Sequence, residues 1–269
     1  MKIDFSAYEK AGISSLPQVW IGENQIAELD QIVKSLGLKG HGMAVYDDES
    51  YRVISPKPKV FRSVMFDNEQ LFSDDLSLHY LRKQSVQEGD FYIAIGGESI
   101  QSIVKIVASE AHMPYIACPT CAYGMDMASG WADRCTQFGL RREQGDAPVA
   151  ILVDTAYCAK AEDSITAGAI REMIDYSGKL AETRAMAIAG GYSWNEDAYL
   201  ILNGYMDAAL EKCNSSLRYG CKEAYRKLAE ALIACGIFDQ EYPIDDIYPV
   251  RLNYLNERPL RDLPDGMFS

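Results

Sequence analysis

The sequence predicts an α/β fold in which an N-terminal Rossmann-like parallel sheet is followed by a shortened all-helical part. Three observations predict it. Short apolar, β-branched runs alternate with amphipathic helical runs between Gly22 and Asp154. Within them, Phe91-Tyr92-Ile93-Ala94-Ile95 runs straight into Gly96-Gly97-Glu98-Ser99 and an amphipathic stretch through Lys105, the order strand, tight turn, helix. Beyond Thr155 the strand signal stops and only helical periodicity continues. Strands separated by helices of this length imply a parallel sheet covered on both faces.

Each element follows from its residues. Apolar Ile26, Leu29, Ile32, Val33, Leu36 and Leu38 fall near a 3.6-residue period and predict a helix over 22–38. Strands are predicted at 42–46, 59–66, 91–95, 114–120 and 147–154, with helices at 71–88 and 99–111 between them. Later helices are predicted at 164–186, 196–212 and 217–235, with Gly190-Gly191 as a helix end rather than a second phosphate loop. The prolines at 243, 249, 259 and 264 predict an extended tail over 239–269. The expected domains are 1–155 and 156–269.

Composition narrows the function. A net charge of −13 with no Lys/Arg-rich run argues against nucleic acid or an anionic membrane surface as partner. No apolar run is long enough to span a bilayer, and the N-terminus lacks the apolar core of a signal peptide, so a cytoplasmic location is expected. Seven cysteines in such a chain are expected to stay reduced. Cys118-Pro119-Thr120-Cys121 has C-x-x-C spacing, read either as a redox or metal pair or, more simply, as packing beside a turn.

The glycine turn at 96–97 carries most of the chemistry. A strand, turn and helix in this order gather free backbone N–H groups and the positive end of a helix dipole at one point, which suits a phosphate. A βα turn without a ligand is the plainer alternative.

With the elements in order, the chain resembles the glycerol-1-phosphate dehydrogenase branch of the iron-containing alcohol dehydrogenase and dehydroquinate synthase-like superfamily. Ile21-Gly22-Glu23-Asn24 resembles its opening, and Asp47-Asp48-Glu49-Ser50 its acidic turn. Gly96-Gly97-Glu98-Ser99 with Lys105 is similar to its Gly-Gly-Gly-Ser phosphate turn, and Cys118-Pro119-Thr120 to its Pro-Thr strand end. Pro148–Thr155, Ala159-Lys160-Ala161 and Ala167-Gly168 resemble the junction and first helix of its second domain. The resemblance implies NAD or NADP in the first domain and a metal in the second. Carried over residue by residue, it implies Asp47 on the adenosine side, Gly96, Gly97 and Ser99 around the pyrophosphate, and Thr120 beside them.

Departures from that pattern shape the expected function. The family's third glycine is Glu98, a carboxylate that repels pyrophosphate unless it points away. Its polar substrate cluster becomes Cys121-Ala122-Tyr123-Gly124-Met125, with Asp126 one position later. Its Gly-Asp after Ala-Gly becomes Ile170-Arg171, a cation where the resemblance places a metal-ligating carboxylate, and no histidine follows His112. No metal is therefore expected. Arg171 is either a binder of a substrate phosphate or carboxylate or a surface arginine. Asp126 is either a turn residue or a displaced acid, and Tyr123, Lys160 and Tyr176 are alternatives as general base.

The chain also stops short of a usual family member. Its helical part is expected to expose apolar surface and to favour a homo-oligomer or docking to a partner protein. The leading expectation is a metal-free, NAD(P)-linked dehydrogenase-type protein acting on a small, anionic alcohol, phosphorylated or carboxylated. A non-catalytic nucleotide-binding or partner subunit and a repurposed metal-free enzyme are the alternatives.

Overall fold

A computed structural model describes residues 1–14, 16–60, 62–67, 71–84, 90–191, 193–216 and 221–242. The strands are β1 (Lys2–Ile3), β2 (Gln18–Gly22), β3 (Gly42–Asp47), β4 (Arg62–Phe66), β5 (Phe91–Gly96), β6 (Tyr115–Pro119), β7 (Trp131–Thr136), β8 (Gly139–Gln144) and β9 (Ala150–Asp154). The helices are α1 (Ser6–Lys10), α2 (Leu29–Ser35), α3 (Asp48–Val53), α4 (Asp75–Lys83), α5 (Glu98–Glu110), α6 (Thr155–Cys158), α7 (Asp163–Gly190), α8 (Glu196–Ser216) and α9 (Lys222–Glu241).

Seven strands form one sheet in the order β1-β2-β9-β6-β5-β3-β4, parallel except for the β1–β2 pair. β3, β5, β6 and β9 are buried at every position, because helices cover both faces and no face is left for polar alternation. This is the α/β architecture that the alternating runs predict, with the helical part following it.

One sheet face, with Ala44, Tyr46, Ile93, Ile95, Ile116 and Leu152, packs against Leu29 and Ile32 of α2. The other face belongs to a cluster that runs unbroken from Val45, Ala94 and Ala117 through α5 to α7, α8 and α9. Every residue of α9 from Leu228 to Asp239 is buried, and Tyr8 Oη donates to its Ala234 carbonyl at 3.3 Å.

Several expected boundaries shift. The helix expected over 22–38 is a 3₁₀ turn (Ile26–Glu28) leading into α2, because Val19, Trp20 and Ile21 pair with β9 and Asn24 turns the chain at φ 59°. Asp74 caps α4 by accepting from Ser77 N at 2.9 Å, so that helix starts four residues later than expected, and 85–88 lie outside the described residues. The β7–β8 hairpin is an addition to the predicted elements. Gly191, in the left-handed region, ends α7 as expected. Beyond Tyr242 the expected tail lies outside the described residues. Among the described residues no helix is long and apolar enough to cross a membrane.

Candidate functional site

The strand order reverses direction between β3 and β5: the chain leaves β3 for the β4 edge, then returns to build β5, β6 and β9 on the other side. Such a switch opens a crevice at the carboxyl ends of the two strands. The register sets Tyr46 beside Ile95 and Gly96 beside Pro119, so Asp47, Gly97 and Thr120 come out at one level. A cleft of about 330 Å³ lies there, walled by Glu49, Ser50, Glu98, Ser99, Tyr157 and Lys160 among others.

Asp47, Gly97, Glu98, Ser99 and Thr120 all line this cleft, with Gly96 just beneath it. A Cβ at Gly96 would run into Asp47 Oδ2 and the Ile100 side chain, whereas one at Gly97 would meet nothing within 4 Å. Gly96 is thus required by packing, and Gly97 borders open space. Gln101 N makes the first helical bond of α5, to Gly97 O at 3.1 Å, so the N–H groups of Glu98, Ser99 and Ile100 have no intrahelical acceptor. This cradle fits a phosphate in its backbone and opposes one through the Glu98 side chain.

Asp47 sits differently from a ribose-binding carboxylate. It is buried, caps α3 by accepting from Ser50 N at 2.6 Å, and accepts from Gly97 N at 3.3 Å. Both oxygens already have partners inside the protein. Glu49, two residues on, is the exposed carboxylate of that wall. Ser50 Oγ and Thr120 Oγ1 lie 3.3 Å apart across the switch point.

A second, more buried polar cluster lies behind the cleft. Its floor is the segment after β6, where Met125–Met127 form a 3₁₀ turn. Asp126 accepts from Ser129 Oγ at 3.2 Å and from Arg142 Nη2 at 3.0 Å, and the same Nη2 donates to Asp239 Oδ2 at 3.1 Å. Tyr176 Oη reaches Asp239 Oδ1 at 3.5 Å. Lys105 Nζ donates to the Asp126 and Trp131 carbonyls, and burial brings its pKa down to about 8. Tyr123 holds its hydroxyl buried without a hydrogen-bond partner among the described residues.

Arg171 is exposed and absent from the cleft wall; the phase of α7 gives the inward direction to Glu172 instead. Of the two alternatives left open for Arg171, its exposure fits the surface arginine, and Glu172 had no signal in the motif pattern. α7 buries Ala169, Met173 and Tyr176, and that stripe places 172 nearer the interior than 171. Glu172 Oε1 accepts from Met125 N at 3.3 Å, and its Oε2 lies so close to Gly124 that a Cβ there would stand 2.7 Å away. Burial, together with the charges of Asp126 and Glu98, raises its pKa to about 7.

Among the described residues no three His, Cys, Asp or Glu side chains converge as a metal-binding set. Where Asp126 and Asp239 face a common cation, that cation is Arg142. This donor set does not fit a divalent metal. Cys118 and Cys121 are buried, free thiols whose pKa values burial pushes up, Cys121 to about 12, which suits packing rather than redox chemistry.

Comparison with known proteins agrees with this architecture. The profile of the family described as iron-containing alcohol dehydrogenase matches residues 20–161. A glycerol-1-phosphate dehydrogenase, NAD(P)+, of Pyrococcus abyssi is 24% identical over 226 residues, 82% of this chain and 64% of that protein. A protein of the same name from Bacillus velezensis is 24% identical over 165 residues, 61% of this chain and 42% of its own length. The chain thus spans under two thirds of the length of these relatives. A probable glycerol dehydrogenase from Sinorhizobium meliloti shares the fold with a TM-score of 0.70 at 18% identity, over 82% of this chain and 65% of that one. An iron-containing alcohol dehydrogenase from Thermotoga maritima does so at 0.61 and 16% identity, over 85% and 68%. With the family profile matched over more than half its length, this chain belongs to the iron-containing alcohol dehydrogenase family.

Proposed function

We propose that the chain is a nicotinamide-dinucleotide-binding member of its family that works on a small phosphorylated or carboxylated alcohol without the family metal. The observation that carries this reading is the open Gly97 cradle at the switch point, where the first turn of α5 offers unpaired N–H groups to a cleft. Gly97 and Ser99 would hold the pyrophosphate, and Thr120 would flank it. Glu49 would accept from ribose hydroxyls, with Asp47 fixing the turn beneath. Bound there, the nicotinamide supplies or accepts a hydride.

The proton that accompanies such a transfer needs a group that can both hold and release it near neutral pH. We assign that role to Glu172, whose carboxyl is held by Met125 N beside Gly124. Arg142, fixed between Asp126 and Asp239, supports the segment carrying Tyr123 and Met125. The names of the relatives from Pyrococcus and Bacillus support the substrate class.

The test is a fluorescence titration with NADH and NADPH on protein assayed for metal. Saturable NADH binding without stoichiometric metal is expected. NADPH should bind at least about tenfold more weakly, because its extra phosphate would meet the acidic Asp47–Glu49 wall. No binding of either at about pH 6 or about pH 8 would overturn the reading. The reading as a non-catalytic subunit is favoured by the carboxylates at 47, 49, 98 and 162 against Lys160 in the cleft wall. It would be upheld by dinucleotide binding with no turnover of glycerol-1-phosphate.

A further inference from the structure

One feature of the cleft belongs to this chain rather than to its family pattern. Glu98 is the first residue of α5, at the point where backbone N–H groups collect, and its side chain forms part of the cleft wall. No cation forms an ion pair with it among the described residues, although Lys105 lies near enough to favour its ionised form. The groups that face it are mostly acids. They are Asp126 on the 3₁₀ turn, Asp133 on β7 and Glu172 on α7, with the Cys121 thiol and Tyr123 hydroxyl in the segment after β6. Among the described residues Lys160 is the one basic residue of the cleft wall, with its Nζ over the Tyr157 ring, 5.5 Å from the ring centre.

We propose that Glu98 is an electrostatic gate on the cleft: its ionised carboxylate turns away phosphate-bearing ligands, and its protonated form admits them. The proposal rests on the cleft being a nucleotide site and adds how that site is regulated. A phosphate bound to the first turn of α5 lies within a few ångströms of the residue at the helix's first position, where two like charges strongly oppose each other. Glu98 keeps an exposed face in the cleft, while the protein packed beside it, and then the charges of Asp133 and Asp126, push its carboxyl above the ordinary value. Protonation is thus the easier way to relieve the clash, and phosphate entry draws a proton in with it. Affinity for a phosphate ligand therefore falls as pH rises through the pKa of Glu98.

The experiment is calorimetric titration of the full chain with ADP-ribose, run in two buffers of different ionisation enthalpy. Such a pair reads both affinity and the number of protons taken up. The wild-type protein is expected to take up a proton on binding and to lose about tenfold in affinity between about pH 5.5 and about pH 8. Glu98→Gln and Glu98→Gly should both abolish the uptake, flatten the profile and bind more tightly at the higher pH. Uptake that persists in both variants, or that vanishes in Glu172→Gln instead, would overturn the gate. So would a failure of either Glu98 variant to bind ADP-ribose at any pH. If NADH binds without proton uptake, the nucleotide reading stands and the gate falls. If ADP-ribose shows the gate while NADH produces no response, the redox reading falls and the gate stands.

Discussion

Replacing Arg142 by alanine is expected to destabilise the fold by about 3 kcal/mol, read as a fall of roughly 10 °C in melting temperature. One guanidinium nitrogen joins Asp126 and Asp239 at 3.0 and 3.1 Å, and the guanidinium also lies over the Trp131 ring at 4.9 Å. The Asp239 side chain is only 3% exposed, so removing the cation takes an ion-pair partner from a carboxylate in the interior, where the Tyr176 hydroxyl is a weaker substitute. Arg142 and Asp126 retain 29% and 25% exposure, which places the estimate at the low end of what breaking a buried ion pair costs.

The control is Arg142→Leu combined with Asp126→Asn and Asp239→Asn, which removes all three charges together. If stranded charge is the cause, this triple variant recovers most of the loss. Should it prove as unstable as the single variant, lost packing on Trp131 is the cause. A single variant within about 0.5 kcal/mol of the wild type would remove the triad from any structural role. The consequence reaches the site, since β8, the turn after β6 and α9 meet only through residues far apart in sequence.

Distance along the chain decides what was legible in the residues. The parallel strands could be read because β3, β5, β6 and β9 are buried on both faces and so appear as continuous apolar runs. The Gly96–Ser99 turn could be read because strand, turn and helix are contiguous. The β7–β8 hairpin could not, since its pairing sets Asp133 against Arg142 and Ala132 against Glu143 rather than alternating apolar with polar. The inner cluster was invisible for a different reason: Arg142, Asp126 and Asp239 look like three solvated charges until the fold brings them together. At 171–172 the residues left an anion-binding and a surface arginine open, and helix phase separates them. A motif position fixes sequence spacing, whereas the buried stripe of α7 decides which of two neighbours turns inward, and that stripe favours Glu172. At 47–49 the resemblance implied the first acid of three, and in the fold Asp47 caps a helix while Glu49 stays exposed.

Glu172→Gln is expected to stabilise the protein at about pH 8 by about 2 kcal/mol and to flatten its stability–pH profile. Burial raises the carboxyl from its ordinary 4.5 to about 7. Between those values the native state holds a proton that the unfolded chain has released, so stability falls as pH rises through the window. Above it, the ionised form carries the full penalty. The shift sets a ceiling of about 3 kcal/mol, which partial access of water to this half-buried group lowers to about 2. Urea denaturation of both proteins at about pH 5 and about pH 8 reads the difference directly. Parallel behaviour of the two would show that some other group titrates in this window. An amide could accept from Met125 N as well as a carboxylate does, so the hydrogen bond does not account for an ionisable side chain at 172. Under the proposed function, proton transfer near neutral pH would account for it. The same substitution should therefore abolish turnover while leaving NADH affinity within about twofold, a gain in stability made at the expense of activity.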